Sequence, residues 1–290
     1  MLGKLMKHEW KSTYKVSCMM IAVLAATTIL GVLAIRPIAG GALERYMRES
    51  AGLLSVVSIV FMVLSMLLYV IAMVAVSIGS NVYFGIHFYK SMYSGEGYLT
   101  HTLPVGKHQL LCSKILVGGL WMILIIIAML ASVLSLVVFS IPDINFADLL
   151  ETIGHLFTEF DRILKQELGL SLTFYGVVVL VSYLVMPFLS MAILFGAISL
   201  GQLFHKARIL MAFVFYFGIV IVESIVKSLF SSAVNMRTFS SAMDTVAEAS
   251  HAIQTSFNMQ MISNFVVDIV VAVLLYLASW YVISRKLNLE

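Results

Sequence analysis

The sequence predicts an all-α, polytopic membrane protein with about six transmembrane helices, and three observations carry that prediction. Of 290 residues only 11% are charged, where a water-soluble domain carries roughly a quarter, so the charges cannot cover a globule in water. Hydrophobic residues make up 61%, and the mean hydropathy of +1.02 is spread along the whole chain, which makes lipid the solvent for most of it. Finally, apolar runs recur at the length, about 20 residues, that a helix needs to cross the hydrocarbon while satisfying its own backbone.

Six segments meet that length: Val16 to Ile35, Leu53 to Gly79, Ile115 to Ile141, Leu172 to Leu203, Ile209 to Phe230 and Ile262 to Ser284. They are read as one transmembrane domain over residues 1–290. The fourth contains Pro187, which removes a backbone donor and crowds the preceding turn, so a kink is expected there. The first apolar run is too long for the core of a signal peptide and is expected to be a retained anchor. With the N-terminus inside, Lys4, Lys7, Lys11, Lys15, Lys90, Lys107, Lys114, Lys206, Arg208, Arg285 and Lys286 fall on the cytoplasmic side. Arg36, Arg45, Arg48, Arg162, Lys165 and Arg237 fall outside. This excess of inner cations places both termini in the cytoplasm.

The net charge of +3 is small and its cations cluster at the ends of apolar runs, which gives nucleic-acid binding no support. Cys18 and Cys112 are the only cysteines; on this orientation both lie on the inner side, and no structural disulfide is expected.

Before the first span, Leu2, Leu5, Met6 and Trp10 recur at helical spacing with Lys4, Lys7, Lys11 and Lys15 largely on another side. This describes an interfacial elbow helix. In the outer segment 142–171, Leu149, Ile153, Leu156, Phe157, Phe160, Ile163, Leu164 and Leu168 follow steps of three and four, so an amphipathic helix is expected. Asn145 is its candidate N-cap, Asp148 suits its first turn and Gly169 is a natural stop. Its apolar stripe is expected to fold down over the chain's own bundle. The outer segment 231–261 is rich in Ser, Ala, Thr, Asn and Met and is read as short helices or a re-entrant hairpin, a candidate outer gate.

Two groups of residues carry chemistry. Glu223 and Lys227 stand four apart in the fifth span, on one helical face, and Asp268 lies at comparable depth in the sixth. Such groups cost about 2.5–3.5 kcal/mol each at mid-membrane, so they are expected to face a cavity or a partner charge and are candidates for a path or gate. An interfacial Glu–Lys pair is the plainer alternative. His108 and Cys112, with His101 and His87 nearby, lack a fourth ligand and a metal-binding spacing. No Gly-x-Ser-x-Gly motif and no acidic pair on a cytoplasmic loop is present, so no catalytic centre is expected.

The second group lies in the cytoplasmic loop 88–114. It contains Glu96 after a polar turn, then Gly97 and Tyr98, a Leu103-Pro104 pair, Gln109-Leu110-Leu111 and Lys114. This arrangement resembles the permease subunits of type-2 ATP-binding-cassette (ABC) transporters, and Lys7-His8-Glu9-Trp10-Lys11 resembles the N-terminus of such permeases from Gram-positive bacteria. The resemblance implies a coupling helix held by Glu96, Gly97, Tyr98, Leu103, Pro104 and Lys114. It further implies an exporter in the plasma membrane whose partners are ABC ATPase subunits, a second permease copy or a homologous chain, and membrane lipid. The chain has no Gly-x-x-x-x-Gly-Lys-Ser/Thr run, so it is expected to bind no cofactor itself, with ATP and magnesium on the partner ATPase. Two rivals are an ion- or proton-coupled secondary transporter using Glu223 and Asp268 as relays, and a non-transporting sensor or immunity protein.

Overall fold

The computed structural model describes residues 2–39, 53–102, 104–140, 146–168, 171–204, 207–241 and 246–285. Among these there is no strand. In chain order the helices are α1 (Leu2–Ala39), α2 (Leu53–Tyr93), α3 (Gly95–Thr102), α4 (Lys107–Ser140), α5 (Phe146–Leu168), α6 (Leu172–Gly201), α7 (Arg208–Ser241) and α8 (Val246–Arg285). Six of them, α1, α2, α4, α6, α7 and α8, are long and apolar enough to cross a membrane. These are the six expected spans.

The helices outrun the apolar segments that seeded them. At about 1.5 Å per residue, the 41 residues of α2 reach about twice the roughly 30 Å depth of a hydrocarbon core. The segment expected as a separate elbow is helical but continuous with the first span, because no Gly or Pro between Lys4 and Leu30 interrupts α1. Among the described residues, the segment 231–261 forms no short helices of its own. Its described residues extend α7 to Ser241 and begin α8 at Val246, since they too lack Gly and Pro. The α6 helix runs on through Pro187.

Two compact units are present. One comprises Trp10–Tyr83 and Trp121–His155. In it α1, α2 and α4 are joined by buried hydroxyls: Ser132 Oγ lies 2.8 Å from Thr28 Oγ1 and 2.8 Å from Tyr69 Oη. Thr28 donates back to the Leu24 carbonyl at 2.7 Å, so Ser132 and Tyr69 can donate across the helices. In lipid, where apolar burial offers no drive for helix association, each such bond contributes about 0.6–2 kcal/mol. Trp10 stacks on Trp121 in the same unit, with ring centroids 4.3 Å apart.

The other unit comprises Met1–Glu9, Phe84–Leu120 and Leu156–Glu290, and α6, α7 and α8 pack against one another within it. Close approach is what fastens them. A methyl group added at Gly196 would fall 2.5 Å from Leu275 Cβ on α8, and one at Gly201 would fall 2.7 Å from the Ala212 backbone nitrogen on α7. Only a residue without Cβ fits at either place. Facing side chains on the C-terminal half of α6, from Met191 to Ser199, are nearly all buried.

The amphipathic helix α5 forms with Asp148 in its first turn; its expected caps, Asn145 and Gly169, lie outside the described residues. Its apolar stripe does not fold onto the bundle. Ile153, Leu156 and Phe160 of that stripe are 45%, 65% and 54% exposed. The helix is held instead by its polar flank: Asp161 Oδ1 accepts the Leu172 N–H at 2.7 Å. Ser171, the N-cap of α6, makes no side-chain cap bond, so Asp161 supplies the cap from another helix. The exposed arc then suits the headgroup–acyl boundary, where an interfacial helix buries its apolar side.

Lys165, bonded to Asp161 at 2.5 Å, holds the Asp161 carboxyl below its ordinary range, and the Leu172 N–H adds to this. A depressed carboxyl stabilises the fold above the unfolded value of about 3.9 and loses that contribution as pH falls through the folded value. The protection factor of the Leu172 amide should therefore fall below about pH 4, and in Asp161→Ala it should be low at every pH. A separate expectation concerns the glycines. Gly201→Ala should cost about 1–3 kcal/mol by overpacking, read as a lower unfolding temperature in detergent. Gly218→Ala, where nothing lies within 4 Å, should be neutral or gain about 0.5–1 kcal/mol.

Candidate functional site

The loop expected to couple is a short helix on a fixed root. α2 ends at Tyr93 and the chain bends at Ser94, whose carbonyl accepts the Gly97 N–H at 2.7 Å. Gly97 is buried at this turn while Tyr98 is 64% exposed. α3 stops at Thr102, two residues before Pro104, as the restriction on residues preceding proline requires. Pro104 is exposed, and Gly106 then opens α4 by accepting the Gln109 and Leu110 N–H groups at 2.9 and 3.2 Å. Glu96 lies in α3, but its side chain, like all of Leu103, lies outside the described residues.

Both roots of α3 are locked. On the incoming side Phe88 stacks on Phe195 of α6 with centroids 4.1 Å apart, and the buried Tyr93 hydroxyl donates to Ser199 Oγ at 2.8 Å. On the outgoing side Lys107 Nζ donates to the carbonyls of Ile283 and Ser284 at 3.0 and 3.4 Å. A cation at that point meets the last turn of α8, where free carbonyls and the helix dipole favour it. His108 Nδ1 is paired with the Tyr276 hydroxyl at 2.5 Å, so this histidine is tied to α8.

Lys114 occupies a place that the sequence did not suggest. It is 4% exposed and ion-paired with Glu9 of α1, whose other carboxylate oxygen lies 3.2 Å from His87 Nε2 of α2. One carboxylate thus joins α1, α2 and α4. Lys114 is an internal strut, whereas Gly95, Tyr98 and Thr102 of α3 and Pro104 after it are among the exposed residues of the loop. Glu9 and His87 were not singled out as site residues from the sequence. Their signal was a lone acid among the four N-terminal lysines.

The structure does bring the three candidate gate residues together. Lys227 Nζ lies 2.7 Å from Glu223 Oε1 across one turn of α7 and is also ion-paired with Asp268 of α8. Asp268 is the most enclosed, its side chain 7% exposed, with Glu223 at 13% and Lys227 at 28%. The pairing is therefore a triad bridging two helices rather than a Glu–Lys pair on one.

These features define a multi-pass α-helical membrane protein with an anchored loop helix and a buried charge triad. Compared with known proteins, the chain matches no protein-family model, no curated protein and no solved structure.

The Glu9 junction makes a sharp prediction. Glu9→Gln should destabilise by about 3–5 kcal/mol, because it leaves Lys114 charged, enclosed and unpaired. Adding Lys114→Met in the same chain should recover most of that loss. Unfolding of wild type, both single variants and the double in detergent gives the coupling energy; additive losses would show that the two groups do not interact.

Proposed function

We propose that this chain is the membrane-spanning permease subunit of an ABC transporter, an exporter driven by separate ATPase subunits. The observation that carries the proposal is the loop helix α3, which presents Tyr98 outward on roots fixed to four spans. A partner's rigid-body movement passes only through a contact that neither yields nor slides. Here a push on α3 would be delivered to α6 through Phe88 and Tyr93, to α8 through Lys107, and to α1 and α2 through Lys114, Glu9 and His87. The absence of a phosphate-cradling run from the sequence fits a division of labour in which the nucleotide sits on another chain.

In this reading the termini and α3 lie on the cytoplasmic face, and two permeases, identical or homologous, form the translocating pair. ATP-driven closure of the ATPases would shift the spans between inward and outward access. Glu96 would pin α3 to the ATPase, with Gly97 shaping the turn and Leu103 and Pro104 ending the helix.

Tyr98→Ala and Glu96→Ala touch no apolar run, so both should insert and pack as wild type does. Each should lower substrate-stimulated ATP hydrolysis by the copurified complex roughly tenfold, a coupling change of about 1.4 kcal/mol. A wild-type chain that recruits no ATP-hydrolysing subunit in mild detergent would overturn the proposal.

A further inference from the structure

The triad between α7 and α8 has an uneven charge count of its own. Glu223 and Asp268 both contact one Lys227 ammonium, so with all three groups ionised the cluster carries one excess negative charge. The side chains of Glu223 and Asp268 are 13% and 7% exposed, in helices long and apolar enough to span. An uncompensated charge at such depth costs several kcal/mol. α6 packs against both helices, and its only ionisable side chains are Tyr175 and Tyr183. Tyr175 is hydrogen-bonded to Asn258 and Tyr183 is 63% exposed. The remaining described ionisable side chains of α7 and α8 are Arg208, Tyr216, Tyr276, Tyr281 and Arg285. Four of them lie at least seven residues from the triad along their helices, about two turns or further. Tyr276, eight residues from Asp268, is engaged by His108.

Among the described side chains of the packed helices, none supplies a second cation at the triad. Glu223 and Asp268 meet the same ammonium, so their carboxyl groups are close neighbours in one enclosed site. Two carboxylates have four acceptor oxygens and no donor between them, so neighbours of this kind can bond to one another only when one keeps a proton. Two carboxyl groups crowded into one enclosed site behave in this way generally.

From this we propose that Glu223, Lys227 and Asp268 form a proton-binding site, in which a single proton is shared between the two carboxyls and clamps α7 to α8. The balance is simple. Glu⁻, Lys⁺ and Asp⁻ with one proton sum to zero, the proton resting on one carboxyl oxygen and bonded to an oxygen of the other. Loss of the proton restores the excess negative charge and sets the two carboxylates against each other across the helix interface. Lys227, the most exposed of the three, is the member through which the cluster reaches its surroundings. The site does not depend on an ATPase partner, so it stands or falls separately from the transport mechanism.

Infrared spectroscopy of the full chain in lipid nanodiscs tests the proposal, since a protonated carboxyl has a C=O stretch distinct from that of carboxylate. Exposed carboxylates are ionised at neutral pH; the wild type should nevertheless show a protonated-carboxyl band equivalent to one group per chain. That band should disappear in both Glu223→Gln and Asp268→Asn, because either amide leaves one carboxylate neutralised by Lys227. In parallel, raising the pH should lower the unfolding temperature of the wild type through deprotonation and leave the two variants unchanged over the same range. If Asp268→Asn fails to assemble, Glu223→Gln carries both measurements alone. A wild type without the band at neutral pH, or a band surviving in either assembled variant, overturns the proposal.

Discussion

Lys114 is a charged group with 4% of its surface exposed, and the elements around it are arranged to neutralise it. Removing an ammonium from water costs several kcal/mol, a cost offset only by a close counter-charge with satisfied remaining bonds. Glu9 provides that charge from α1, and His87 binds the same carboxylate from α2. The consequence is geometric as much as energetic. α1, α2 and α4 must meet at one height, which fixes where α2 ends, where α3 can begin and where α4 re-enters.

Away from that junction, packing follows the rules of a lipid solvent. Many large apolar side chains of the spans are exposed, among them Met19, Leu33, Ile71 and Leu274. That pattern would be ruinous in water and is ordinary against acyl chains. With no hydrophobic drive between helices, contact depends on close backbone approach and on polar groups that find each other. Gly196 and Gly201 supply the first in one unit. The Thr28, Tyr69 and Ser132 hydroxyls supply the second in the other.

Polar groups thus serve three different ends in this chain. The hydroxyl cluster is neutral and fully enclosed, so it holds helices together without responding to its surroundings. The Glu9 junction is charged, so it joins three helices at one carboxylate and tolerates no loss of a partner. The Glu223–Lys227–Asp268 triad is charged and unevenly balanced, two carboxylates meeting one ammonium. Asp161 adds a fourth arrangement at the surface, capping α6 from α5 through a single carboxylate.

The sequence alone determined the number and type of the spans, because hydropathy over about 20 residues is a local property and lipid leaves the backbone no alternative to a helix. It also determined the amphipathic character of α5 and the suspect charges at Glu223, Lys227 and Asp268, since an ionisable group in an apolar run stands out by itself. Where helices stop was less legible: the polar extension 231–241 carries no apolar signal, yet continues for want of a breaker. Only the tertiary structure decided who meets whom. Glu9 and Lys114 are 105 residues apart, and nothing local distinguishes a lysine that will be buried from one at a membrane surface. The turn of Lys114 inward, the pairing of Asp268 with Lys227 across two helices and the borrowed cap at Leu172 all depend on contacts between distant segments. Such contacts are set by the packing of whole helices, which no window of sequence contains.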